Sequence, residues 1–280
     1  MTRREAIPLL SSLLLTRSPA VEVNRERLPG VLRLKARSRN ESSQPVRREL
    51  TWPVASTAII ICDMWDDHYC KSSARRLAMM VPRMNEVVKA ARRAGVMIIH
   101  APSGTMDVYK DMPFRRRMME AKPAAPPEPI GEWRYLDRAK EAPLPIDDET
   151  EPCDDAVVGE RVRRYSRQHE GIEIAGHDGV SDSGREIFNY CEQEGIRNIA
   201  LMGVHANMCV LGRPFGIRQM TRIGRQVVVV RDLTDAMYDP RQKPYVSHAR
   251  GTELVVEHIE RYWCPSVVGD DLMLRRPQAS

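Results

Sequence analysis

Aromatic residues are scarce in this chain, at 5% of 280 positions. A surface that tracks nucleic-acid backbone and stacks bases needs basic residues interleaved with aromatic ones on the folded body. The formal charge of +5 does not supply that surface. Residues 1–50 hold eleven Arg or Lys against five Glu, and the remainder is close to neutral. Long apolar runs are also missing. None approaches the ~18 residues of a membrane-spanning helix, so no membrane partner is expected. No glycine-rich phosphate loop follows any strand, which argues against a nucleotide or redox cofactor. The six cysteines, Cys62, Cys70, Cys153, Cys191, Cys209 and Cys264, show no CxxC or Cys/His spacing. That pattern points to no metal and to no disulfide scaffold, and most of these thiols are expected to be buried small hydrophobes.

The first twenty residues stand apart. MTRRE precedes the apolar stretch AIPLLSSLLL and then TRSPA, in the manner of a short twin-arginine export signal that would send the chain to the periplasm. The alternative is an amphipathic amino-terminal arm on a cytoplasmic protein. Residues 21–56 read as an extension, with VLRLKA and VRRELTW as two extended stretches around a polar turn, which predicts a hairpin.

A main domain is expected over 57–268, followed by a tail over 269–280. The run Ala58-Ile59-Ile60-Ile61-Cys62 is apolar throughout, as in a strand covered on both faces. From Ser73 the positions Leu77, Met80, Val81, Met84, Val87, Val88 and Ala91 recur at helical spacing and stop before Gly95. The alternation continues with strands at 96–99, 172–175, 198–202 and 226–230, and with helices at 184–194, 209–223 and 246–262. Strands alternating with helices predict βαβ units, hence a three-layer α/β/α domain on a mostly parallel sheet. The alternation fails over 102–168. Residues 113–152 carry eight of the twenty prolines, so this segment reads as an insert or lid over the carboxyl edge of the sheet, where ligands bind in such folds.

Two strand ends meet at that edge. Asp63 ends the first strand, and Gly203-Val204-His205-Ala206-Asn207-Met208-Cys209 leads from a later strand into a helix. A thiol at a helix amino terminus beside a carboxylate suits nucleophilic catalysis, the unpaired N–H groups favouring thiolate and the carboxylate taking its proton.

Over about residues 57–265 the chain resembles the cysteine-hydrolase branch of the isochorismatase-like superfamily, which includes nicotinamidases and N-carbamoyl amide hydrolases. The family's first strand ends in D-x-Q-x-D-F. Asp63 and Asp67 match its acids, while Trp65 and His68 replace the Gln and the Phe. Gly203 before Cys209, the VVVVRDLTDA strand and His248 ahead of the last helix fit as well. The resemblance implies Cys209 as nucleophile, Asp63 as proton acceptor, and a cis peptide at Val204-His205. It also implies an oxyanion hole from the N–H groups of His205 and Cys209, at roughly 3 kcal/mol per donor.

The family's third catalytic group is a Lys after the third strand, and no Lys stands at the corresponding place near Gly176. His177 is the substitute by position, Lys110 or Lys122 from the insert is another, and a site without a cation is the third. Trp65, His68, His100 and Lys110 are the expected substrate-lining residues. His100 and Asp107 alone do not complete a metal site. The implied activity is hydrolysis of a C–N bond in a small amide or carbamoyl compound through a thioester on Cys209, with no cofactor. The expected partners are a small-molecule substrate and further copies of the chain. A silent binding protein that lost the Lys is the alternative, and vinyl-ether hydrolysis a third reading.

Overall fold

The computed structural model describes residues 25–274, so the export-signal reading of 1–20 lies outside the described residues. The apolar runs become the centre of an eight-stranded sheet. Its strands are β1 (Val31–Arg39), β2 (Pro45–Pro53), β3 (Thr57–Cys62), β4 (Met97–Ala101), β5 (Gly179–Val180), β6 (Asn198–Val204), β7 (Gln226–Asp235) and β8 (Ser266–Val267). They lie in the order β2-β1-β8-β7-β6-β3-β4-β5. The strands from β3 to β8 are parallel, and β1 joins β8 and β2 antiparallel.

Alternate residues of each central strand feed opposite layers, as the period of two requires. Ile59 and Ile61 face a core shared with Leu77, Val81, Met84 and Val88 of helix α1 (Lys71–Ala94). Leu32 and Leu34 of β1 extend the same layer. Ala58, Ile60 and Cys62 face the other layer, against Ile187 and Phe188 of α3 (Gly184–Glu194) and Val255 and Ile259 of α6 (His248–Tyr262). Two short helices, α4 (Cys209–Gly212) and α5 (Ile217–Arg222), complete that face. All six cysteines are buried and unpaired. Among the described residues no helix is long and apolar enough to cross a membrane.

Two expected elements are corrected. Residues 172–175 form no strand: Ile172 is buried from a loop, and the strand beside β4 is the two-residue β5. The helix expected over 209–223 is two helices, broken where Pro214 cannot continue the ladder. Residues 102–168 are mostly irregular, with only a 3-10 turn at Met106–Tyr109 and α2 (Pro113–Met119).

That insert is fastened to the body at one buried carboxylate. Glu141 accepts from Arg218 Nε and Nη2 at 2.6 and 3.0 Å, from His258 Nε2 at 2.8 Å and from Trp263 Nε1 at 2.8 Å. Burial works against its ionisation, but His258, Arg218 and Trp263 together hold its pKa down at about 2.

Candidate active site

Parallel strands bring the ends of β3, β4 and β6 to one edge. Cys62 pairs with Ala101 on one side and with Gly203 on the other, so Asp63 is flanked by both neighbouring strand ends. Gly203 is required for this approach: its φ is 116°, and a Cβ there would lie 2.0 Å from the Cys62 carbonyl oxygen. Asp63 itself has φ 48°, a left-handed conformation that Asp tolerates better than most residues. The tight turn it makes is closed by Trp65 N–H donating to the Asp63 carbonyl at 2.9 Å.

The Asp63 carboxylate is fully buried and splits its acceptors. Oδ1 takes the Ser103 backbone N–H at 2.8 Å, and Oδ2 takes Arg213 Nε at 3.0 Å. The Cys209 thiol completes the group, interacting with the Asp63 carboxylate and with the His205 backbone. Burial pushes the thiol well above its ordinary value, Asp63 adds to the rise, and Arg213 opposes it. Cys209 therefore rests as a neutral thiol beside an acceptor. Burial disfavours the charge on Arg213, but Asp63 and then Cys209 hold the guanidinium more firmly protonated than usual.

The loop carrying Cys209 is fixed from three sides. His205 Nε2 meets Ser73 Oγ of α1 at 2.7 Å, and Ala206 N donates to the Asp235 carbonyl at 2.8 Å. Asn207 exchanges side-chain hydrogen bonds with the Met237 backbone at 2.8 and 3.1 Å. The Val204-His205 peptide is cis. Asp235 in turn binds His248 Nε2 at 2.8 Å and Arg76 Nε at 2.9 Å, which keeps the end of β7 in place under this loop.

The sequence-derived candidates separate. Asp63, Cys209 and the His205 backbone come together. The His205 imidazole is buried, its pKa pushed down to about 3 by that burial, so it is a neutral packing group. Trp65 is a wall of the site, with Nε1 donating to the Ser103 carbonyl at 3.1 Å and its ring stacked on Tyr165 at 4.2 Å. His68 also stacks on Trp65, ring centroids 6.2 Å apart, and meets His205 edge-on at 5.2 Å.

Four candidates are not brought to the site. His177 shares a different cavity with Arg25, Arg92 and Asp178. Its pKa is lowered by burial and then by Arg117, the wrong direction for a standing cation. Lys110 is exposed at the end of the 3-10 turn in the insert, and Lys122 is exposed after α2. His100 is fully buried, with both ring nitrogens committed to Gln168 Oε1 at 2.9 Å and Asp178 Oδ2 at 3.0 Å, so it does not line the pocket.

The cation beside Asp63 is Arg213, which the sequence reading missed although it stands four residues after Cys209, one helical turn away. It also replaces the expected helix-dipole effect, since α4 has only four residues and little macrodipole. The insert covers it: Arg134 N–H donates to the Gly212 carbonyl at 2.7 Å, and the Trp133 ring lies 5.6 Å from the Arg213 guanidinium carbon. Gly212 is needed there, because a Cβ would fall 2.5 Å from that ring. Beside Arg213 opens a cavity of about 460 Å³, lined also by Ser103, Gly104, Gly131 and Glu132. The buried Ser103 Oγ has no partner among the described residues.

Residues 57–256 match the isochorismatase domain family. No curated protein matches the chain. Among solved structures, a cysteine hydrolase from Pseudomonas syringae pv. phaseolicola 1448A is 17% identical, with 79% of this chain and 92% of that one covered and a TM-score of 0.48. N-carbamoylsarcosine amidase from Thermoplasma acidophilum is 12% identical over 77% of this chain and 97% of its own, TM-score 0.40. A nicotinamidase/pyrazinamidase from Bacillus subtilis is 14% identical over 73% and 94%, TM-score 0.37. With its family match spanning the sheet from β3 to α6 and enclosing Asp63, Cys209 and Arg213, the chain belongs to the isochorismatase family.

Proposed function

We propose that the protein is a cysteine hydrolase that cleaves a C–N bond in a small amide or carbamoyl compound, with Cys209, Asp63 and Arg213 as its catalytic set. The observation that carries this reading is the buried Asp63 carboxylate, held by Ser103 and Arg213 with the Cys209 thiol beside it.

In this reading substrate enters along the Arg213 side, against Trp65 and Tyr165. The Cys209 S–H proton passes to Asp63 as sulfur attacks the carbonyl carbon, so no free thiolate needs to persist in a site whose burial disfavours it. The carbonyl oxygen becomes an oxyanion that accepts from the N–H groups of His205 and Cys209. Collapse breaks the C–N bond, and Asp63 returns its proton to the leaving amine. Water then attacks the thioester with Asp63 as base, giving the acid and the thiol. Arg213 never gives up its proton; its charge lies beside the Asp63 carboxylate before attack and offsets negative charge during it. Arg213 thereby answers the missing family Lys and favours an active hydrolase over a silent binder.

The test is hydrolysis of a panel of small primary amides and N-carbamoyl compounds by wild-type protein and Cys209→Ala. Release of ammonia or amine by the first and not the second supports the reading, and equal release by both overturns it.

A further inference from the structure

Outside the active site, two cysteines far apart in sequence converge on one carboxylate. Cys70 is the residue before the first turn of α1, and Cys153 and Asp155 come from the end of the insert. The two sulfurs and a carboxylate oxygen of Asp155 all lie within 4.8 Å of one another. A tetrahedral zinc-type ion, with bonds of about 2.3 Å to sulfur and 2.0 Å to oxygen, sets its ligands roughly 3.5–3.8 Å apart. Small side-chain rotations separate the observed group from that geometry.

We propose that Cys70, Cys153 and Asp155 form a binding site for a thiophilic divalent cation of the zinc class. Both sulfurs are fully buried, in a small cluster with Met237, while Asp155 is partly exposed. Three protein ligands with one side open to solvent leave a fourth position for water. Two thiolates and a carboxylate exceed the charge of a divalent ion by one, and the surroundings answer it. Asp155 accepts the backbone N–H groups of Lys71 and Ser72 at 2.7 Å each, at the positive end of a 24-residue helix. Arg76, one turn further along, pairs with the adjacent Asp154. Soft sulfur donors select zinc-class ions over magnesium or calcium. Binding is not a redox step: the metal–sulfur bonds form as the two thiol protons leave to solvent.

The place of the site says what the ion does. It joins the end of the insert to the helix turn whose Ser73 hydroxyl holds His205 and whose Arg76 holds Asp235. The ion would therefore brace the loop that carries Cys209 without touching the reacting atoms.

Cobalt(II) is the probe, because thiolate ligation gives it a charge-transfer absorption that needs no activity. Reduced, metal-stripped full-length protein is titrated with Co²⁺, then with Zn²⁺, and run through gel filtration. One cobalt per chain with a thiolate charge-transfer band, displaced by zinc with a rise in Tm, is expected. Cys70→Ser and Cys153→Ser should lose the band and weaken zinc binding by more than about a hundredfold. Cys191→Ser, on the other face of the sheet, should keep both. The proposal is overturned if the reduced wild type shows no such band and retains no metal, or if the band survives in Cys153→Ser. A Cys70–Cys153 disulfide persisting in the reduced preparation, seen as a cross-linked peptide two hydrogens lighter, overturns it as well. These readouts stand whether or not the protein hydrolyses amides.

Discussion

Two buried carboxylates, each facing an arginine, divide the work of this molecule. Glu141 is saturated: four donors from Arg218, His258 and Trp263 converge on its two oxygens. Asp63 receives one hydrogen bond per oxygen, from Ser103 and Arg213, and has the Cys209 thiol beside it. A carboxylate with every lone pair engaged has nowhere to put a proton and serves as an anchor. One with spare acceptor capacity beside an S–H can take up a proton, the role proposed for Asp63. The difference lies in the number of donors rather than in burial or in the presence of arginine, which both sites share.

That contrast is broken most severely at the sulfur. Cys209→Ala should reduce turnover by at least a thousandfold while leaving Tm within a few degrees, because in the proposed mechanism the thiol carries the reaction, and it contributes little packing. Asp63→Asn should lower kcat by about 10²–10⁴, since the amide cannot accept the thiol proton. Arg213→Ala should cost on the order of 10²-fold, and Arg213→Lys should recover much of it by restoring the charge. Steady-state rates on one amide substrate order these three.

At the anchor the effect should fall on stability instead. Breaking one partner of a buried pair costs about 3–5 kcal/mol, so Glu141→Gln should lower Tm clearly. The sign with pH follows from its depressed pKa of about 2. Its stabilisation is fully present above the unfolded carboxylate value of about 4.3 and is lost as pH falls towards 2. Thermal melts between pH 6 and pH 3 should show a fall in the wild type that Glu141→Gln lacks in part. The smallest effect belongs to His177→Ala, whose rate and pH profile should match the wild type, because His177 lies among Arg25, Arg92 and Asp178.

The parts of this architecture that were legible in sequence are those encoded by local pattern. β3 announces itself by an unbroken apolar run, α1 by seven apolar positions at helical spacing, and Asp63 and Cys209 by standing where strands end. Arg213 was not legible as the cation because the expected third group belongs after the third strand, near Gly176, whereas the fold places a cation beside Asp63 one turn after Cys209. The helix break at Pro214 hid that turn. β5 has only two residues, too few to carry a period, so the apolar Ile172 segment nearby took its place in the reading. The convergence of Cys70, Cys153 and Asp155 depends on how the insert returns across α1, and no spacing rule contains that path.

The central claim is that Cys209 carries the acyl group. It is tested most directly by acid-quenching the enzyme during turnover of an amide that it hydrolyses and mapping the mass of every cysteine peptide. An adduct equal to the substrate's acyl portion is expected on the Cys209 peptide alone, accumulating in Asp63→Asn only if the first step survives. Steady hydrolysis with an unmodified Cys209 peptide at every quench time, and with Cys209→Ala still active, would contradict it.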